Sequence, residues 1–122
     1  MIKPKIIISD NDYDGLHSML EKEVYAPSHD LLIDELERAK IVDKAKLPEN
    51  VVRMNSTVIF TILASQKTFA LKLVYPKDTA ESGTLSILTP VGSALIGLSI
   101  GQEIEWPLDK NRSTIVHIDS IT

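Results

Sequence analysis

The sequence predicts an α+β protein: a short N-terminal antiparallel helical hairpin followed by an antiparallel sheet that holds one short helix. Three observations support this fold class. Two apolar stripes with spacings of three and four residues occur before residue 45, which is typical of amphipathic helices. Runs rich in β-branched residues, bounded by turn residues, follow from residue 57 onwards and predict strands. Between two of those runs, residues 89–98 again have helical spacing over about two turns.

The N-terminal part predicts one extended segment and two helices. Residues 5–8 are β-branched, and Ser9 or Asp10 then suits an N-cap, because its side-chain oxygen can accept from a free backbone N–H. The helix that follows is about 15 residues long and ends before Pro27, which disfavours helix at the residue before it. A second helix runs from residue 28 or 30 to about residue 44. Two helices joined by so short a break predict an antiparallel hairpin.

The remaining chain predicts a body made mostly of strands. Residues 46–50 include Pro48 and form the expected joint, which divides the chain into a hairpin part, 1–47, and a body, 48–122. Within the body we expect strands at residues 57–63, 69–75 and 114–121, a loop at residues 77–83 and a turn at residues 108–112.

Residues 84–106 predict a strand, a short helix and a second strand, around which the body is organised. Thr89 suits the N-cap, and Pro90 suits the first helical position, where its missing N–H costs nothing. Gly97 can end the helix, because glycine enters the left-handed conformation without a Cβ clash. One buried stripe is expected, formed by Val91, Ala94, Leu95 and Leu98.

The charge of the chain is concentrated in its first part. The 122 residues have a formal net charge of −4; residues 1–50 carry seven Lys and Arg against eleven Asp and Glu, whereas residues 51–122 carry six of each. An acidic first part argues against direct binding of nucleic acid, which needs a basic face, and favours a protein partner with a basic surface. The alternative is that these charges are the solvated faces of two helices.

The sequence offers no targeting or membrane segment. The apolar part of the N-terminus is too short for a signal peptide, and no run approaches the length needed to span a bilayer. A cytoplasmic protein is therefore expected. We also expect a monomer. The chain has no cysteine, which excludes disulfides, a thiolate nucleophile and a cysteine-based zinc site.

A family resemblance is visible in residues 88–108, LTPVGSALIGLSIGQEIEWPL. They resemble the C-terminal domain of the Gre-type transcript cleavage factors, whose pattern is Ser-Pro-x-x-x-ALLG-x-x-x-G-D, with Thr89 in place of the serine and Gln102 in place of the acidic residue. The Rnk family of regulators of nucleoside diphosphate kinase is more similar, because IIIS, VVRMNSTVIF and LVYP occur in the same order. The resemblance implies an FKBP-like sheet wrapped around one helix, behind a short helical hairpin, and an action on RNA polymerase.

The resemblance also implies a docking surface at the rim of the polymerase secondary channel. Carried onto this chain, the surface consists of Leu88, Thr89, Pro90, Val91 and Gly92. Gre factors often have a polar or acidic residue at the position of Leu88, so docking here is expected to rely more on apolar packing. The alternative for each of these residues is that it caps or packs the short helix.

For the hairpin, the resemblance sets an expectation about cleavage. Gre factors insert a long coiled coil whose acidic tip completes a magnesium site for hydrolysis of backtracked RNA. Here the arm is short, and residues 24–31 contain Asp30 as their one acidic residue, which makes Asp30 a partner-binding candidate. The resulting hypothesis is a polymerase-binding regulator that occupies the channel mouth and competes with Gre-type factors without stimulating cleavage.

A calcium-binding pattern overlaps the first helix. Residues 10–21 fit D-x-[DN]-x-[DN]-G-x5-E, with the ion expected among Asp10, Asp12, Asp14 and Glu21. If these residues are helical, the three aspartates point in different directions and act at the helix N-terminus instead. An EF-hand also needs an incoming helix, and residues 3–9 are short and β-branched. We prefer helix capping and keep a small calcium-binding protein as an alternative.

Catalytic patterns are weak throughout the sequence. His17, His29 and His117 lie far apart without ligand spacing, and the sequence has no nucleophile elbow and no glycine-rich phosphate loop. We therefore expect neither an enzyme nor a cofactor or metal site. A generic interaction domain with another partner remains a further alternative.

Overall fold

The computed structural model describes residues 4–107 and 111–122, so part of the predicted turn at 108–112 lies outside the described residues. The architecture is mixed α+β. The chain forms β1 (Ile7–Ser9), α1 (Asp10–Lys22), α2 (His29–Arg38), β2 (Lys40–Val42), β3 (Thr57–Ile62), β4 (Lys67–Val74), β5 (Thr84–Ser86), α3 (Pro90–Leu95), β6 (Glu103–Pro107) and β7 (Ser113–Ile121). Short 3-10 turns occupy Lys44–Lys46 and Pro76–Asp78.

The body is a five-stranded sheet in the order β5-β4-β3-β7-β6. The predicted antiparallel pairing is present between β4, β3, β7 and β6. It is wrong for β5, which pairs parallel with β4, so the sheet is mixed. The reason lies in residues 75–83, which carry the chain back along β4: Lys72 donates to the Gly83 carbonyl at 2.9 Å, and Ile87 donates to the Val74 carbonyl at 2.9 Å. Parallel neighbours require such a return connection.

The N-terminal part lies on the body and forms a second, two-stranded sheet. β1 and β2 pair parallel, and the Ile7 amide donates to the Gly97 carbonyl at 3.1 Å, which joins β1 to the end of α3. α2 packs against α3. The antiparallel packing expected of the two N-terminal helices is not confirmed.

Both N-terminal helices are present, with boundaries that differ from the prediction. Ser9 is the N-cap of α1, and its Oγ accepts from the Asp12 amide at 3.1 Å. α2 ends at Arg38 and does not continue to residue 44, because Lys40–Val42 form β2. The Lys40 amide donates to the Ile6 carbonyl at 3.0 Å, and the β-branched Ile41 and Val42 suit a strand.

One hydrophobic core joins the N-terminal part to the sheet. Its largest fully buried side chains in the body include Phe60 and Trp106. The N-terminal part contributes five buried residues to the same cluster: Ile6, Ile8, Leu16, Leu32 and Leu36. The N-terminal part is therefore packed onto the body through these side chains. Within residues 4–107 and 111–122, none of the helices combines the length and hydropathy needed to traverse a bilayer.

Candidate functional site

The turn before α3 is fixed by the side chain of Thr89. Its Oγ1 accepts from the Gly92 amide at 3.0 Å and donates to the Ser86 carbonyl at 2.8 Å. Pro90 follows at the first helical position. The capping role inferred from the sequence is thus confirmed, and the hydroxyl of Thr89 is already engaged within the chain.

The five residues of the expected docking surface differ in exposure. Pro90 is exposed, and Leu88, Thr89 and Val91 are half-buried. Gly92 is buried, and a Cβ placed there would lie 2.1 Å from the Ser86 carbonyl oxygen. Gly92 therefore allows the close approach of the turn, while only its neighbours offer side chains to a partner.

α3 is also held from inside the body. Ser93 is fully buried, and its Oγ donates to the Ile87 carbonyl at 2.9 Å. Gly97 has a φ of +80°, and a Cβ there would lie 2.9 Å from the Cβ of Ile6, so glycine is needed both for conformation and for space. These internal contacts fix the position of α3, and with it the position of the surface around Pro90.

The tip of the arm, residues 23–28, carries an apolar surface. Val24 is 90% exposed and Tyr25 is 64% exposed. The Tyr25 hydroxyl donates to the Asp30 carboxylate, at 3.1 Å from Oδ1 and 3.0 Å from Oδ2, and this hydrogen bond raises the pKa of Tyr25. Sequence reasoning named Asp30 here and missed Val24 and Tyr25. The available signal was a pair of large apolar residues in the break between the two helices, just before Pro27.

The base of the arm is anchored by a carboxylate. Asp12 Oδ2 accepts from the Met54 amide at 3.0 Å, which joins α1 to the body. Burial raises the pKa of Asp12, while the Met54 hydrogen bond and the charges of Arg53 and Lys44 oppose that increase. Burial and the nearby Asp12 charge also raise the pKa of Tyr75.

An ion pair between a buried and a half-buried side chain holds the end of α2. Glu35 is fully buried and pairs with the Arg38 guanidinium at 2.6 Å, and Arg38 also donates to the Pro4 carbonyl. The pair ties the start of the described chain to α2 and so holds the arm together. The arm is joined to the body through the Met54 amide and the Gly97 carbonyl.

Two family models match the chain. Residues 47–122 match "Transcription elongation factor, GreA/GreB, C-term", and residues 4–42 match "Rnk N-terminus". The protein is 39% identical over 121 residues to the regulator of nucleoside diphosphate kinase of Escherichia coli (strain K12), covering 97% of this chain and 89% of the relative. The chain belongs to the Rnk family, which is related to GreA/GreB.

Other relatives agree with this assignment. The transcription elongation factor GreA of Helicobacter hepaticus is 32% identical over 97 residues, covering 75% of this chain and 58% of the relative. Among solved structures, a prokaryotic transcription elongation factor GreA/GreB from Nitrosomonas europaea is 48% identical with a TM-score of 0.75, covering 98% of this chain and 99% of that one. The Rnk and Gre resemblance predicted from the sequence is confirmed.

In this Rnk-family chain, the residues of the calcium pattern do not converge. All four acidic positions lie within α1, where Asp12 bonds the Met54 amide and Asp10 Oδ1 accepts from the Lys44 amide at 3.2 Å. The part of the chain that the structure describes holds no group of three or more His, Asp and Glu suited to a metal ion. Asp10 and Asp12 thus bond backbone amides, which favours the helix-stabilising interpretation of these residues over the calcium alternative.

The three histidines of the Rnk-family chain lie in separate surroundings. His17 contacts Tyr13 with tilted rings, His29 is buried beside Tyr25, and His117 lies on β7 of the sheet. The His117 Nδ1 is 2.9 Å from Glu103 Oε2, and its Nε2 is 3.6 Å from Asp119 Oδ1. Glu103 and Asp119 therefore lie on opposite sides of the His117 ring, one beside each ring nitrogen.

Proposed function

We propose that this protein binds RNA polymerase at the rim of the secondary channel and regulates transcription by competing with Gre factors. It occupies the mouth of the channel and does not stimulate transcript cleavage. The observation that carries the proposal is the GreA/GreB C-terminal match over residues 47–122, which includes the whole of α3 and its turn.

The docking surface of this proposal is the exposed side of the turn before α3. Pro90 is its most exposed member, and the half-buried Leu88 and Val91 flank it. Thr89 and Gly92 act as positioning residues. The Thr89 hydroxyl is hydrogen-bonded within the chain, and Gly92 is buried. The surface is mostly apolar, so it binds by packing more than by charge.

The lack of cleavage follows from the reach and chemistry of the arm. The 13 residues of α1 give a helix of about 20 Å. Metal-assisted hydrolysis at a polymerase active centre needs a carboxylate near the ion. The carboxylate of Asp30, beside the tip, is instead hydrogen-bonded to Tyr25.

The proposal also includes the division of the chain into two regions, its cellular location and its oligomeric state. We retain the division into an arm, residues 1–47, and an FKBP-like body, residues 48–122, as functional regions that share one core. A cytoplasmic monomer without direct contact to nucleic acid fits this role, because its partner is the polymerase and its arm is acidic.

Displacement of a labelled Gre factor from RNA polymerase core enzyme tests the proposal. The Gre signal is expected to fall to its unbound value as the protein is added. Unchanged Gre binding at saturating protein would contradict the proposal.

The variant Pro90→Glu tests the docking surface. A glutamate is tolerated in the first helical turn because the helix dipole favours a negative charge there, so the fold is kept. We expect half-displacement of the Gre factor to need about tenfold more protein. Pro76→Glu is the matched control, since Pro76 also begins a short helical turn. Equal loss in both variants, or in neither, would show that the turn before α3 is not the docking surface.

A further inference from the structure

The tip of the arm has the properties of a binding anchor. Among residues 4–107 and 111–122, Val24 and Tyr25 are the two most exposed large apolar side chains, and they are adjacent in the chain. Contiguous exposed apolar surface marks interaction sites, whereas apolar side chains scattered singly on a surface need no such explanation. Tyrosine is also enriched among the residues that dominate interface energies.

The tip is ordered before any partner arrives. The Tyr25 hydroxyl bonds both Asp30 oxygens, and its ring lies edge-on to the His29 ring with centroids 6.2 Å apart. The His29 amide donates to the Ala26 carbonyl at 2.9 Å, and the Asp30 amide donates to the Pro27 carbonyl at 3.1 Å, which closes the turn into α2. A side chain fixed in this way loses less entropy on binding than a free one.

Charges around the tip indicate what it binds. Residues 10–38, which span both helices of the arm, carry nine Asp and Glu against two Lys and Arg, a net charge of −7. Glu23 lies within the tip. An apolar anchor on an acidic arm is complementary to an apolar pocket rimmed by basic groups, and complementary potentials also speed association.

We propose that Val24 and Tyr25 form an apolar anchor that inserts into a basic-rimmed apolar pocket on the protein partner. The inference rests on the proposed function, so the partner is RNA polymerase and the pocket lies on the wall of its secondary channel. The turn before α3 then holds the body at the rim, while the anchor holds the arm in the channel. Asp30 is a positioning residue for Tyr25 in this arrangement.

The double variant Val24→Ser/Tyr25→Ser tests the anchor in the full chain. Because both side chains are exposed, the fold is kept, which circular dichroism and thermal unfolding check. We expect half-displacement of a labelled Gre factor to need at least about tenfold more protein than with the unaltered chain. Ile41→Ser is the matched control, since Ile41 is 39% exposed but lies on β2, away from the tip in sequence. The control is expected to displace the Gre factor normally.

The outcomes separate the anchor from the proposed function. Normal displacement by the double variant overturns the anchor and leaves the proposed function standing. No displacement by the unaltered protein overturns both. If the anchor instead mediates self-association, sedimentation will show a dimer that only the double variant dissociates, and the proposal of a polymerase pocket is then wrong.

The role of Asp30 is tested with a mutant cycle. Asp30→Asn keeps an acceptor for the Tyr25 hydroxyl and is expected to bind polymerase nearly normally, whereas Asp30→Ala weakens binding. In a Tyr25→Phe background, Asp30→Ala should have no further effect, because the hydroxyl that Asp30 holds is gone. If Asp30→Ala weakens binding equally in both backgrounds, Asp30 contacts the partner directly and does not act through Tyr25.

Discussion

At the scale of single residues, the Asp12 carboxylate stabilises the fold, although it lies in a sequence that resembles a calcium-binding loop. Its Oδ2 accepts from the Met54 amide across 42 positions of the chain. A helix start and a calcium loop use the same residue types, so the sequence pattern could not distinguish them. The local preference for helix after Ser9 decides between them, because helical geometry separates the carboxylates.

Substitution of Asp12 should separate its hydrogen bond from its charge. Asp12→Ala leaves the part-buried Met54 amide without its acceptor and is expected to lower the free energy of unfolding by about 1–2 kcal/mol. Asp12→Asn keeps an acceptor and removes the cost of burying a charge, so stability at pH 7 should be equal or higher. Urea unfolding measures both. Equal destabilisation by the two variants would show that the hydrogen bond is not what anchors α1.

The raised pKa of Asp12 predicts a pH dependence with a definite sign. Above the ordinary value of 3.8 and up to the raised folded value, the folded state binds more protons at this site than the unfolded state. The contribution of Asp12 to stability is therefore largest at low pH and is lost as pH rises through its folded pKa. Asp12→Asn should lack this contribution. A larger decrease of stability with rising pH in the variant would contradict the assigned direction.

At the scale of the element, α3 depends on a turn with almost no free space. Six residues make too short a helix to be stable alone, so its position comes from the Thr89 cap, the buried Ser93 and the approach of Gly92 to Ser86. Sequence analysis identified the cap and the first-turn proline from local preferences. It could not identify the function of Gly92, because that depends on the distance between two backbone segments.

Substitutions in this turn should have graded effects. Gly92→Ala places a Cβ against a backbone oxygen and is expected to cost about 2–3 kcal/mol of stability, since backbone cannot move aside as a side chain can. Thr89→Ala should cost about 1 kcal/mol, whereas Thr89→Ser, which keeps the hydroxyl, should cost little. Thermal unfolding measures all three. A neutral Gly92→Ala would show that the turn has more room than the structure indicates.

The tip of the arm shows what local patterns cannot reveal about a loop. The sequence indicated that a break lies before Pro27 and that Asp30 follows it. The contact between Asp30 and Tyr25 depends on the loop torsions, which no periodicity encodes. Sequence reasoning therefore named Asp30 as a partner-binding candidate without the hydrogen bond that its carboxylate accepts from Tyr25.

At the scale of the whole molecule, the arm and the body share one core. Leu16 and Leu32 from the arm are fully buried in the same cluster as Phe60 and Trp106. The sequence predicted an apolar stripe on each helix, because amphipathic spacing is local. It could not predict that α2 packs on α3, or that β5 runs parallel to β4, because both depend on contacts between distant segments.

This arrangement gives the proposed function its physical basis. A separate flexible arm could search for the active centre, whereas an arm packed onto the body projects only its tip. The body presents the turn before α3, and the short arm presents Val24 and Tyr25. A protein built in this way can occupy the entrance to a channel without supplying catalytic carboxylates at its end.

Transcript cleavage in a stalled, backtracked RNA polymerase complex tests this account most directly. The protein alone should release no RNA fragment, because its tip has a single carboxylate, Glu23, and α1 is only about 20 Å long. Added together with a Gre factor, it should reduce Gre-stimulated cleavage in proportion to its concentration, and Pro90→Glu should reduce it less. Shortening of the transcript by the protein alone would contradict the account, since the arm would then reach the active centre and the protein would be a cleavage factor.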